Sequence, residues 1–241
     1  DDPTMIKMLE DLSGIDIKNI NVGDEKILSL FSGTEVMNVT PEQIGCKIGT
    51  LGLPELGTDF VINMLLETKP KTFSELVKIS GLSHGTDVWN NNAQDLVKSG
   101  IEFKNIIGCR DDIMVNLISY GIEPLKSFKI MEFVRKGKPS KEKDQWLEYA
   151  AIMKEHNVPE WYIESCHKIK YMFPKAHACA YVLSALRIAY FKVYYPIYYY
   201  AAYFSIREHD FDVYAMVNGY DKINETILML EEKGYGRSNK E

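Results

Sequence analysis

Apolar positions recur at helical spacing along almost the whole chain, and no run alternates in the manner of a half-buried strand. Residues 3–12 place Met5, Ile6, Met8 and Leu9 on one stripe, and residues 24–31 form a second short helix opened by an acid. Gly14 and Gly33 follow them as stop signals. Residues 58–68 carry Phe60, Val61, Met64 and Leu65 on an apolar face. Thr72-Phe-Ser-Glu75 has capping-box spacing, in which hydroxyl and carboxylate each take a free backbone N–H, and it predicts a helix through Ile79. A polar loop over 80–89 is expected next, then a weak helix over 90–98. Further helices are predicted over 111–120, 124–134 and 140–156, from Pro159, and from Pro174 to about Tyr195. Pro196 breaks the last of these, 198–204 reads as an aromatic helix packed inside, and 210–217 and 222–233 are helical. Residues 234–241 read as a polar tail or linker. The pattern predicts an all-α chain with long connecting loops and at most minor β structure.

Composition changes this picture little. A 241-residue chain with 46% hydrophobic residues can bury a sizeable core. Cys46, Cys109, Cys166 and Cys179 are widely spaced and form no CxxC pair, which suggests reduced thiols in a cytoplasmic protein. The first residues carry no signal peptide, and charges or Pro196 interrupt every apolar run short of a membrane span, so no membrane contact is expected.

Charge changes it more. The net charge of −6 hides a segregation: residues 126–143 carry +5, residues 168–192 carry +5 with no acid, and the remainder carries −16. Such a division suits a local anion-binding surface on an acidic body, and would also suit a solvated face with scattered lysines. The sharpest feature is the stretch 168–187, with Lys168, Lys170, Lys175, His177 and Arg187. Pro174 sits where a helix starts, so Lys175 and His177 fall in its first turn, where free N–H groups and the helix dipole already attract an anion. Cations there oppose the dipole unless a negative ligand offsets them, and a phosphate is the natural ligand. Beyond it, His177, Tyr181, Ser184, Ile188, Phe191 and Tyr195 share one helix face, suited to lying against a base pair or to serving as an ordinary core stripe. Arg110 precedes an acid-capped helix, placed either to pair with a neighbouring acid or to reach a phosphate. Arg135, Lys136, Lys138, Lys141 and Lys143 form a flexible basic turn.

Catalytic chemistry is thin. No GxxxxGK[ST], strand-linked GxGxxG, GxSxG or HExxH motif occurs, and the five histidines have no ligand spacing. Asp1-Asp2 and Asp111-Asp112 are adjacent acids that helix N-caps explain more simply than a metal does. No metal site is expected within the chain.

Lys170-Tyr-Met-Phe-Pro-Lys-Ala-His-Ala-Cys-Ala-Tyr181, Arg187-Ile-Ala-Tyr-Phe-Lys192 and Tyr195-Pro196 resemble the fingers of bacterial family C replicative DNA polymerases. Ile79-Ser-Gly-Leu-Ser-His-Gly-Thr-Asp-Val-Trp89, Gly108-Cys-Arg-Asp-Asp-Ile-Met114 and Val158-Pro-Glu-Trp-Tyr162 resemble the PolC type, the alpha subunit of low-GC Gram-positive bacteria. The resemblance extends to about Met216 and implies a fragment of a Mg²⁺-dependent DNA-directed DNA polymerase. It implies a palm-to-fingers connection over 1–50, fingers over 51–209, and over 210–241 the end of the fingers and a linker toward a helix-hairpin-helix duplex-binding region. In the family, three palm aspartates hold two Mg²⁺, the last lying shortly before a segment resembling Asp1-Asp2-Pro3-Thr4, so the catalytic acids are expected outside this chain.

By the same resemblance, Arg110, Lys168, Lys170, Lys175 and His177 are expected to grip the triphosphate of an incoming dNTP. Tyr181, Ser184, Ser83 and His84 are expected at the nascent base pair. Arg135, Lys136, Lys138, Lys141, Lys143 and Arg187 are expected on the DNA backbone. The implied partners are primer–template DNA, dNTP, other parts of the same chain and, in the cell, the sliding clamp and replisome. An independent helical module binding nucleic acid or another anion is the alternative reading of the same charges.

Overall fold

The computed structural model describes residues 2–208 and 211–235. Asp1, His209, Asp210 and residues 236–241, which carry part of the adjacent-acid, helix and tail expectations, lie outside the described residues. The all-α expectation is borne out: among the described residues, the one pairing of extended chain is an antiparallel bridge between Thr86 and Tyr171.

The helices in order are α1 (Asp2–Ser13), α2 (Glu25–Ser29), α3 (Pro41–Ile44), α4 (Asp59–Thr68), α5 (Phe73–His84), α6 (Gln94–Lys98), α7 (Arg110–Ser119), α8 (Pro124–Arg135), α9 (Lys143–Glu155), α10 (Glu160–Lys168), α11 (Lys175–Tyr194), α12 (Pro196–Ile206), α13 (Val213–Val217) and α14 (Tyr220–Glu232). The long helix α11 is the axis of the core. It packs on α5, α12, α2 and α1, while α7 lies along α8 and α4 along α5.

Local chemistry explains most starts. Asp24 accepts from the N–H groups of Lys26 and Ile27 to open α2, and Thr58 from that of Val61 to open α4. The capping box at α5 forms as predicted, with Thr72 and Glu75 taking each other's N–H groups. A second capping box, Thr40 with Gln43, opens α3, a helix the apolar spacing did not announce because it spans a single turn.

Several expectations are corrected. Helix α5 does not stop at Ile79 but continues through His84, carrying Gly81 in its interior, so part of the expected polar loop is helical. Residues 140–142 belong to a turn, and α9 starts at Lys143. Phe60 is 43% exposed, and Ile62 takes its place in the buried face of α4. Lys192, counted above among the surface cations, points inward and is 4% exposed. Its ammonium donates to the carbonyls of Gly49 (2.8 Å) and Leu51 (2.5 Å), joining α11 to the turn after α3. Burial lowers its pKa to about 8.

Candidate anion-binding site

The starts of α7 and α11 lie side by side. The Arg110 N–H donates to the Phe173 carbonyl at 3.0 Å, one residue before the Pro174 N-cap of α11. Across this junction Asp111 accepts from the Lys175 backbone N–H at 2.8 Å and lies 4.0 Å from Arg110 Nε. Asp112 accepts from the N–H groups of Gly108 (2.9 Å) and Cys109 (3.1 Å), capping α7, and from Lys175 Nζ at 3.2 Å. Lys78 Nζ, on α5, approaches the other Asp112 oxygen at 3.7 Å and donates to the carbonyls of Lys104 (2.8 Å) and Ile106 (2.5 Å).

Electrostatics follow from burial. The Asp112 charge raises the pKa of Lys175, whereas burial lowers that of Lys78 despite the same neighbour. Burial also pushes the Cys109 thiol up to about 12, so it stays protonated and inert. The cations at the α11 start are offset from within the chain, which corrects the expectation that a negative ligand must do so. Asp111 already supplies a carboxylate to its first N–H group, and Asp112 supplies one to the Lys175 ammonium. Arg110 and Lys175 are thus brought together with two acids interleaved. Lys78 carried no sequence signal, since its link to Asp112 joins residues far apart in the chain.

Beside this junction is an aromatic cluster. The His84 ring lies 4.8 Å from that of Phe173 and 5.5 Å from that of Tyr181, Phe173 stacks on Tyr181 at 6.1 Å, and His177 meets Phe173 edge-on at 6.0 Å. The structure therefore brings His84 to Tyr181, with Phe173 between His84 and His177, although α5 and α11 are far apart in sequence. His84 Nε2 is 3.1 Å from Glu55 Oε2 but outside hydrogen-bond geometry. Ser83 donates to the Ser80 carbonyl, and Ser184 is half-buried. The expected face of α11 divides: His177 and Tyr181 are exposed, whereas Ile188 and Phe191 are core.

The basic turn is an ordered structure, which corrects the flexible reading. Its backbone closes through Lys141 N–H and Glu142 N–H donating to the Lys138 carbonyl, and Met172 N–H donates to the Arg135 carbonyl at 3.2 Å. Gly137 sits against the Lys170 backbone, so the two basic segments are neighbours in space. Arg135 forks onto Glu132, which Lys136 also reaches at 3.0 Å. These hydrogen bonds, Arg135's foremost, hold the Glu132 carboxyl down at about 2. Lys138 pairs with Glu142 (2.9 Å), Lys168 with Glu164 (3.1 Å) and Lys170 with Asp87 (2.5 Å). Lys141 and Lys143 are exposed and have no ion-pair partner among the described residues. Arg187 stands apart from the turn: half-buried with its Nε unpartnered, it is about 18 Å along α11 from Lys175 at the usual rise per residue.

Among the described residues, no three His, Cys, Asp or Glu side chains cluster as metal ligands. These residues therefore do not fit a two-Mg²⁺ centre, which needs acids converging on one point. No described helix is long and apolar enough to cross a membrane.

What these features define is a helical body with cations and aromatic rings gathered where two helix starts meet. Residues 2–157 match the family described as the bacterial DNA polymerase III alpha subunit finger domain, and the chain belongs to that family. Along its whole length it is 60% identical to the DNA polymerase III PolC-type of Oceanobacillus iheyensis, of which it covers 17%. It is 62% identical to that of Halalkalibacterium halodurans and 60% identical to that of Bacillus subtilis, again along its whole length and covering 16% of each. The chain thus spans about one-sixth of the length of these relatives.

Proposed function

We propose that this chain is the fingers portion of a cytoplasmic replicative DNA-directed DNA polymerase, where it binds the incoming dNTP and the nascent base pair. The observation that carries this reading is the placing of Arg110 and Lys175 at two adjoining helix starts, beside the His84–Phe173–Tyr181 rings. In a chain alike along its whole length to PolC-type polymerases, that pairing suits a ligand with a polyphosphate at one end and a flat base at the other.

Arg110 and Lys175 would hold the triphosphate, with His177, Lys170 and Lys168 farther out. Fixed cations there neutralise charge that develops on the leaving pyrophosphate. Tyr181, Ser184, Ser83 and His84 would bound the nascent pair and test its shape. Residues 51–209 would be the fingers proper, with 1–50 linking to the palm and 210–241 leading toward duplex-binding parts. The family's Mg²⁺ would be held outside the described residues, whose roles are binding and orientation. The sliding clamp and replisome would meet the whole polymerase.

In the full-length polymerase, Arg110→Ala should raise the KM for dNTP about tenfold, the loss of roughly one charge-assisted hydrogen bond. An unchanged KM in single-nucleotide incorporation assays would sink the triphosphate assignment. The basic turn is read as a contact to the DNA backbone, and its two unpaired lysines are the ones free to make it. Replacing Lys141 and Lys143 by alanine should lower the slope of log affinity for primer–template against log salt by about 2, since each phosphate contact contributes roughly 0.9. An unaltered slope would remove the turn from the DNA surface.

A further inference from the structure

Among the described residues, Asp112 is the single buried acid. A buried carboxylate is costly unless both its oxygens are satisfied and its charge is countered. Capping α7 uses two N–H groups and needs only a neutral acceptor, so it does not account for an ammonium at each oxygen. One of these, Lys78, is itself largely buried and tied to two carbonyls, so it cannot swing away. The other, Lys175, is half-exposed at the mouth of the junction with Arg110. A lysine on a flexible stem loses rotamer freedom when it grips a ligand, and a fixed counter-charge incurs that loss in advance.

We propose that Asp112, held from beneath by Lys78, is a positioning residue that fixes the Lys175 ammonium for anion binding. The two lysines and the acid together keep one positive charge, so the orienting contact does not cancel the attraction for a phosphate. Lys78 holds Asp112 in place through its other oxygen, and Asp112 acts on the ligand solely through Lys175. This inference rests on the triphosphate reading above.

The test uses the full-length polymerase. Asp112→Asn keeps an oxygen for the N–H groups of Gly108 and Cys109 and removes the charge. It should raise the KM for dNTP about fivefold with kcat within about twofold, and add nothing further in a Lys175→Ala background, because residues that act as one unit are not additive. A KM effect that adds fully to that of Lys175→Ala, or no effect where Lys175→Ala has one, would overturn the inference. Lys175→Ala without effect on KM would instead overturn the triphosphate reading.

Competitive acetylation of Lys175, followed by mass spectrometry, tests the Asp112–Lys175 contact itself. Asp112→Asn should raise Lys175 labelling, since the acid no longer holds its proton. Lys78→Met should raise it as well, though by less, since Asp112 then loses the contact that holds it from beneath. Should Asp112→Asn fail to fold, Lys78→Met suffices, because Lys175 labelling at the parent level in that folded variant would overturn the proposal.

Discussion

Gly81→Ala is expected to destabilise the chain by about 2 kcal/mol, against the direction that helix propensity predicts. Alanine in a helix interior is better than glycine by roughly 1 kcal/mol. At this position the space decides otherwise. A Cβ on Gly81 would overlap the Gly108 carbonyl oxygen and come within 2.5 Å of Cys109 Sγ. Gly108 is held in turn, because its N–H bonds to Asp112 and its own Cα faces the Lys78 stem, where a Cβ would meet Lys78 Cα at 2.9 Å. Overpacking costs roughly 1–3 kcal/mol, and against backbone the upper end applies, so it outweighs the propensity gain. The melting temperature should fall by about 4–8 °C for a chain of this size. Because the displaced segment runs into Cys109 and Arg110, the KM for dNTP in the full-length polymerase should rise as well. A variant that melts at or above the parent temperature would show that the α5–Gly108 contact is not close-packed.

That glycine also marks where sequence reasoning lost the structure. The capping box at Thr72 and Glu75 was legible because it is local chemistry at fixed spacing. The end of α5 was not, since Gly81 followed by Ser83 and Gly85 resembles a stop signal, and only the facing Gly108 makes a mid-helix glycine favourable. The same division runs through the site. Pro174, Lys175 and the start of α11 were readable, as was Arg110 at the entry of α7. Their counter-charges were not, because Asp111 and Asp112 face Lys175 from more than sixty residues away. Lys192 looked like one more surface cation, yet the carbonyls that bind it lie some 140 residues earlier. Periodicity says which face of α11 is apolar. It cannot say which end of that face is covered, and the cluster around His84 and Tyr181 stays open while Ile188 and Phe191 close over.

Gly137→Ala should cost about 3 kcal/mol and separate the two basic segments. Two penalties combine there. Gly137 has φ +65°, where a Cβ adds roughly 1–2 kcal/mol of backbone strain. Its Cβ would also lie 2.5 Å from the Lys170 carbonyl oxygen and 2.9 Å from Lys170 Cα, backbone that cannot turn aside like a side chain. The two terms can be measured apart. Gly14 has φ +73° with no neighbour within 4 Å of a Cβ, so Gly14→Ala should show the strain alone, about 1 kcal/mol. The excess at Gly137 is then the cost of pushing the basic turn off residues 170–172, where the Arg135 carbonyl accepts from Met172 N–H. Denaturant unfolding of the two variants gives the difference directly. Equal losses would mean that the turn yields freely, and that its lysines are not held in register with Lys170. A larger loss at Gly137, together with weaker primer–template binding at unchanged salt, is the result expected if the two cationic segments serve DNA as one surface.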